Sequence, residues 1–301
     1  MAGKSASNKN AFRTATLWLI WGWLLIFALL PNILVIAVSF LTRDTSDFIS
    51  LPATIDSYLR LVDPLYFEVF VHSLWMAGIT TVICLLLGYP FAWLVSRVRA
   101  RWQPLLMLLL ILPFWTNSLV RVYALKLLLA TNGLINKAFL AIGIINAPID
   151  MLYTQGAVII GLTYLLFPFM VLPLYAVFTD LRDDMLLASQ DLGASKSQTF
   201  WHVVLPLTTP GIISGVLLVL LPAMGMFYVA DILGGSRNLL VGNIIKNQFL
   251  DARDWPFGAA ASVLLTLAMA VLLLAYRASS KRIGKYYSFS FCSFYPNYKR
   301  V

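Results

Sequence analysis

Charged residues punctuate this chain at wide intervals, and the stretches between them are long and apolar. Six runs free of Asp, Glu, Lys and Arg cover residues 17–40, 69–96, 102–120, 151–179, 203–230 and 255–276, and they are 19 to 29 residues long. About 20 apolar residues, rising 1.5 Å each, are enough to cross the ~30 Å hydrocarbon layer of a bilayer. Each run therefore predicts a crossing helix, and the fold class predicted is an all-α polytopic membrane protein with six transmembrane helices. The first run is too long for a cleavable signal peptide and has no small-residue cleavage site, so it reads as a signal anchor. Pro31, Gly88-Tyr89-Pro90, Pro113, Pro168, Pro173 and Pro222 fall inside the runs and are expected to break them. Such breaks are tolerated in lipid where neighbouring helices or a water-lined cavity re-satisfy the backbone, which favours a moving, cavity-lining bundle over an inert anchor.

Composition sharpens this picture. Hydrophobic residues reach 60% and charged residues only 12%, against about 45–50% and 25% in soluble domains. Disorder, a disulfide scaffold and a soluble enzyme are excluded. The net charge of +9 does not indicate nucleic acid, because the basic residues cluster at the ends of the apolar runs and no basic helix with interleaved aromatics occurs. With both termini in the cytoplasm, 14 of the 22 Lys and Arg residues fall in segments 1–16, 97–101, 179–202 and 277–301. That agrees with the positive-inside rule. The first outer loop then holds Asp44, Asp47, Asp56, Asp63 and Glu68 against Arg43 and Arg60.

Candidate chemistry is sparse. Cys84 and Cys292 imply neither a disulfide nor a metal pair, and His72 and His202 lack ligand spacing. Each histidine is expected to be satisfied or solvent-facing. Glu68 is the only glutamate, so it has no glutamate partner for acid–base work. No GxxxxGKS/T segment occurs, so the chain has no P-loop for ATP phosphates. It is read as a non-enzyme without a cofactor or metal of its own.

The segment 179–210 carries the most information. Asp180, Asp183 and Asp184 crowd the expected start of a short helix, where carboxylates complement the dipole. Leu181, Met185, Ala188 and Leu192 repeat at 4-, 3- and 4-residue spacing, giving it one apolar face. Gly193 supplies a left-handed stop. Ser195 or Ser197 can cap a second short helix with Phe200, Trp201 and Val204, which Pro206 and Pro210 are expected to end.

Asp191-Leu192-Gly193-Ala194-Ser195, followed by Leu205-Pro206-Leu207 and Pro210-Gly211, resembles the EAA loop of bacterial ABC-importer permeases. Where that family usually has Glu-Ala-Ala, this chain has Leu187-Ala188-Ser189. Further stretches resemble permease subunits of spermidine/putrescine importers: 63–68, Pro113 to Arg121, Leu221 to Asp231, and Arg253 to Ala259. The likeness runs from about residue 17 to 280 and stops before the aromatic tail 286–301.

The resemblance implies a type I importer permease fold in a bacterial inner membrane. It divides the chain into a cytoplasmic segment 1–16, a permease domain 17–280 and a cytoplasmic tail 281–301. It also implies two ATP-binding subunits carrying ATP and Mg, a second, PotC-like permease subunit and a periplasmic substrate-binding protein. Within the loop, Ala188, Asp191, Leu192, Gly193, Ala194, Phe200, Trp201 and Pro206 are the expected coupling residues. Phe200 and Trp201 have a second reading, packing against the chain's own helices. A polyamine path calls for carboxylates and aromatic faces, and Trp115, Asn117, Tyr228 and Asp231 are the candidates. Alternatively, Trp115 and Tyr228 are interfacial belt residues and Asp231 faces the periplasm. Arg121 lies nearby and would repel a cation unless paired, Asp231 being the candidate partner, which counts against the site or marks a gate. Two other readings stay open: a permease for phosphonate, sulfate or ferric ion, and a stand-alone secondary transporter.

Overall fold

The computed structural model describes residue 14 and residues 16–43, 50–235 and 238–294, the stretch 275–294 as backbone alone. In chain order the helices are α1 (Thr16–Ser39), α2 (Asp56–Leu61), α3 (Pro64–Arg97), α4 (Gln103–Ile111), α5 (Ser118–Leu129), α6 (Leu134–Ile142), α7 (Gln155–Asp180), α8 (Asp183–Asp191), α9 (Lys196–Gly225), α10 (Phe227–Gly234), α11 (Val241–Leu250) and α12 (Trp255–Phe294). Among the described residues the only β pairing is an isolated antiparallel bridge between Thr42 and Ser50. Six helical stretches are long and apolar enough to cross a membrane: α1, α3, α5 with α6, α7, α9 and the first 20 residues of α12.

The described residues fall into two compact units, one drawn from Met1–Phe67 and Ile244–Leu267, the other from Glu68–Asn243 and Ala268–Val301. In the first, the turn after α1 is tied down by polar side chains. Ser39 and Tyr58 share a hydroxyl hydrogen bond of 2.7 Å, and Thr54 N donates to Phe40 O. Asp254 closes this unit. It is 1% exposed, and its Oδ1 accepts from Phe257 N, capping α12. Its Oδ2 accepts from Arg60 at 2.8 Å, and Arg43 lies 3.8 Å away. Arg60 also covers the Phe257 ring at 4.4 Å. The hydrogen-bonded carboxylate holds the Arg60 guanidinium above its ordinary pKa.

In the second unit α7 is central. Leu162, Leu165 and Val158 on it join Val122 of α5, Val229 and Leu233 of α10 in one buried cluster. Asn243 fastens the end of this core. Its Oδ1 accepts from Leu240 N, and its Nδ2 donates to Phe227 O and Asp231 Oδ1.

Several expectations need correction. The run 102–120 is not one crossing helix. It divides into α4, a 3-10 turn at Leu112–Trp115, an extended Thr116 and the start of α5, which Asn117 caps by accepting from Leu119 N. Pro113 and the Asn117 cap make that break, and α5 continues past Arg121 and Lys126, charges that had marked the run's end. The other run prolines break nothing: the chain stays helical through Pro90, Pro168, Pro173 and Pro222. α1 likewise continues, with a π turn at Leu25–Leu29 placed just ahead of Pro31. That wide turn accommodates a residue with no N–H to give. Glu68 lies on α3 rather than in a loop, because Asp63 caps that helix through Leu65 N. His72 is not satisfied: its Nε2 is buried without a hydrogen-bond partner, because α3 carries it within the helix. His202 is exposed, with Nδ1 3.1 Å from Gln198 O. The backbone of α12 stays helical to Phe294, past the end of the last run. Asp44 and Asp47 lie outside the described residues.

Candidate functional site

The hairpin of α8 and the first turns of α9 is built by local chemistry. Asp183 and Asp184 open α8, facing the positive end of its dipole. Asp180 and Leu181 do not belong to it. Asp180 ends α7 and Leu181 is extended, because Arg182 is the residue that leads into the new helix. At the other end Gly193 has φ +87°. Gly193 N donates to Gln190 O and Ala194 N to Ser189 O. This double bond pattern closes a helix only when its C′ residue is left-handed, a conformation that side chains with a Cβ resist. Ser195, rather than Ser197, then caps α9. Its Oγ accepts from Gln198 N while Gln198 Oε1 accepts from Ser195 N.

The second helix of the hairpin is not short. α9 passes through Pro206 and Pro210 without ending, and runs on to Gly225. A π turn at Phe200–Val204 widens the helix just before Pro206. Thr208 and Thr209 hydroxyls add bonds to Val204 O and Leu205 O in the same stretch. The hairpin is thus continuous with a crossing helix, so motion of its tip has a stiff element to act on.

The hairpin and the helices flanking it meet the Arg97 end of α3. Arg97 forms an ion pair with Asp183 and covers the Trp93 ring at 4.6 Å. Tyr89 shares a hydroxyl bond of 3.0 Å with Thr208 and meets Phe178 and Phe200 edge-on. Within the hairpin, Ser189 and Thr199 share a hydroxyl bond of 2.9 Å. Between these parts lies a cleft of about 500 Å³ lined by Tyr89, Trp93, Leu186, Gln190, Lys196 and Phe200, among others. Sequence reasoning missed Tyr89, Trp93, Arg97, Asp183 and Thr199 as members of this site. The only signal is Tyr89, Trp93 and Arg97 at one-turn spacing, which by itself points to orientation and helix breaking.

The expected coupling residues separate into two sets. Leu192 is 89% exposed and Trp201 61% exposed, and Ala188, Asp191 and Gly193 are also on the surface. Phe200, Ala194 and Pro206 are partly buried, and Phe200 turns toward Tyr89. The path candidates lie on two connections. Trp115 is 77% exposed on the 3-10 turn, and Asn117 is exposed beside it as the cap of α5. Tyr228 and Asp231 share α10, where Tyr228 is half-buried against Phe227 and Asp231 is held by Asn243. Arg121 does not pair with Asp231. Its guanidinium covers the Phe114 ring at 4.6 Å, and its Nε and Nη1 are buried without a partner.

Over residues 11–285 the sequence matches the family of binding-protein-dependent transport system inner membrane components. The chain belongs to this family. It is 55% identical over 264 residues to the spermidine/putrescine transport system permease protein PotB of Escherichia coli, covering 88% of this chain and 96% of that one. It is 53% identical over 278 residues to PotB of Salmonella typhimurium, covering 92% and 97%. A chain of the crystal structure of a bacterial alginate ABC transporter, in complex with an alginate pentasaccharide-bound periplasmic protein, superposes with a TM-score of 0.74 at 16% identity. That likeness covers 94% of this chain and 98% of the other. The fold is therefore the all-α ABC importer permease fold. In this family member Leu187 stands exposed on α8, in the stretch where the EAA pattern carries its glutamate, while Ser189 turns inward to Thr199.

Proposed function

We propose that this chain is the membrane-spanning permease subunit of an ATP-driven importer of polyamines, spermidine or putrescine. Identity of 53–55% to PotB permeases over about nine-tenths of the chain carries this reading. A periplasmic binding protein delivers the substrate, a second, PotC-like permease completes the pathway, and two ATPase subunits supply the energy. The chain itself binds no ATP or Mg. Both termini face the cytoplasm, and the 183–201 hairpin enters a groove on an ATPase subunit.

On this reading Leu192 and Trp201 are the apolar anchors, since burying exposed apolar surface is the main driving force for docking. Gly193 keeps the tip in register, and the partly buried Phe200 transmits the push to Tyr89 and α3. ATP-driven closure of the two ATPases then moves α9 as a lever, with no covalent chemistry in this chain. Tyr228 and Asp231 on one side, and Trp115 and Asn117 on the other, offer ring faces and acceptors to ammonium groups.

The test is uptake of labelled spermidine by import-deficient cells expressing the chain with its neighbouring subunits. Putrescine, sulfate and an aminophosphonate serve as competitors, and Gly193→Asp is run in parallel. Polyamine-competed uptake that falls at least tenfold in Gly193→Asp, with the subunits still assembled, is expected. An active ATPase without polyamine uptake would sink the cargo and leave the permease standing. Full uptake by Gly193→Asp would remove the lever.

A further inference from the structure

A second cleft, of about 520 Å³, lies between α3, α4, α5 and α7. Leu87, Phe91, Leu110, Phe114 and Phe167 make its walls apolar, and Arg121, Thr163 and Tyr164 are its polar members. Arg121 Nε and Nη1 and Thr163 Oγ1 are all buried and all lack a hydrogen-bond partner. A guanidinium stays charged at any biological pH, and buried charges in proteins are paired or hydrogen-bonded. The Phe114 ring, 4.6 Å from the guanidinium carbon, attracts the cation but supplies no oxygen acceptor for either N–H. Arg43 and Arg60 pair with Asp254, Arg97 with Asp183 and Arg182 with Asp184, and none of these pairs includes Arg121. Thr163 is unusual too, since most helical threonines here donate to the carbonyl one turn back, as Thr80 and Thr81 do. A charged donor pair and a free hydroxyl therefore share one apolar opening.

We infer that this cleft receives an aspartate or glutamate side chain of the second permease subunit, whose carboxylate pairs with Arg121 and accepts from Thr163. The inference rests on the proposed pairing with that subunit. A cationic cargo has the wrong sign for Arg121. A lipid phosphate has the right sign but the wrong depth. Thr163, Phe167 and Pro168 sit in the middle of the 26-residue α7, whereas headgroups lie about 15 Å from the bilayer centre. A carboxylate on a neighbouring crossing helix reaches that depth, and ionisable groups there pair with one another because isolation in lipid is costly. Arginine offers a carboxylate two parallel donors, so the pair would also fix the register of the two subunits.

The experiment captures the assembled importer through a tag on this chain and measures how much second permease comes with it. Arg121→Met and Arg121→Lys are compared with wild type. So is each Asp→Asn and Glu→Gln change in the apolar segments of the second permease. Arg121→Met is expected to lower recovery at least fivefold and Arg121→Lys less. One acidic change should give the same loss, with no further loss when combined with Arg121→Met. Because Arg121→Met by itself could misfold, the charge-reversed pair is the second arm: Arg121→Glu with that acid changed to Arg should regain recovery, which a folding defect would not. Unchanged recovery in Arg121→Met overturns the inference. So does an unchanged subunit ratio accompanied by loss of a bound anionic lipid in native mass spectrometry. If the wild-type chain brings down no second permease, the proposed pairing fails first, before any Arg121 variant is compared.

Discussion

Helices α1 and α7 are nearly matched in hydropathy and opposite in packing. Their most apolar windows average 2.3 and 2.2, yet none of the first is buried within the chain and 56% of the second is. Hydropathy sends both into lipid, where the tails are as apolar as a leucine and give no reason for one helix to seek another. What separates them is shape. Gly161 of α7 lies against Leu233 and Val229, and Gly211 and Gly215 of α9 lie against Val177, Pro173 and Met170 of α7. Gly22 of α1 has nothing within 4 Å of where a Cβ would stand. Small residues that let backbones approach make the contact, and the dispersion gained there is what holds crossing helices together.

The strongest way to break this contrast is to fill one of those approaches. In Gly211→Leu the new Cβ would stand 2.9 Å from Val177 Cγ2 and 3.0 Å from Pro173 O. The carbonyl belongs to the backbone and cannot swing aside. Overpacking of this kind costs about 3 kcal/mol, which for a chain of this size lowers the unfolding midpoint by about 5 °C. Thermal loss of the monodisperse peak in size-exclusion chromatography measures it. An unchanged midpoint would mean that close approach of α7 and α9 is not what buries α7.

How much of this was legible in the sequence follows from the same contrast. Apolar runs announce crossing helices because length and hydropathy are properties of one segment. Gly193 announced its turn, and Asp183 and Asp184 their helix start, for the same reason: left-handed backbone and dipole charge are local. Charge did not mark helix ends inside the bundle, so Arg121 and Lys126 hid the start of α5. The prolines at 206 and 210 did not stop α9; the π turn at Phe200–Val204 widens the helix just ahead of the first of them. Tyr89 and Arg97 were missed because their roles depend on Phe200, Thr208 and Asp183, 86 to 119 residues away in sequence. No period within α3 encodes that.

A middle-sized test uses one residue type in both settings. Asn243 is fully buried and holds Leu240 N, Phe227 O and Asp231. Asn243→Ala strands buried backbone groups, at a cost of about 2 kcal/mol. Asn32 on α1 is exposed and only donates to Ala28 O, one turn back on its own helix. Asn32→Ala should change stability by about 0.5 kcal/mol or less, as surface substitutions do, and so leave the midpoint within about 1 °C. Equal losses for the two would show that α1 is held as firmly as the core.

The smallest expected effect is the most discriminating. Gly22→Leu adds a large side chain to the interior of α1 where there is open space, and it replaces a poor helix former by a good one, worth about 1 kcal/mol in helix propensity. In the isolated chain the midpoint should stay level or rise slightly, while Gly211→Leu falls. In both variants a glycine inside a crossing helix becomes leucine, so hydropathy changes equally and cannot account for a difference between them. A fall in Gly22→Leu comparable to that in Gly211→Leu would mean that α1 is packed closely after all. No fall would leave steric fit as the property that decides which apolar helices become core.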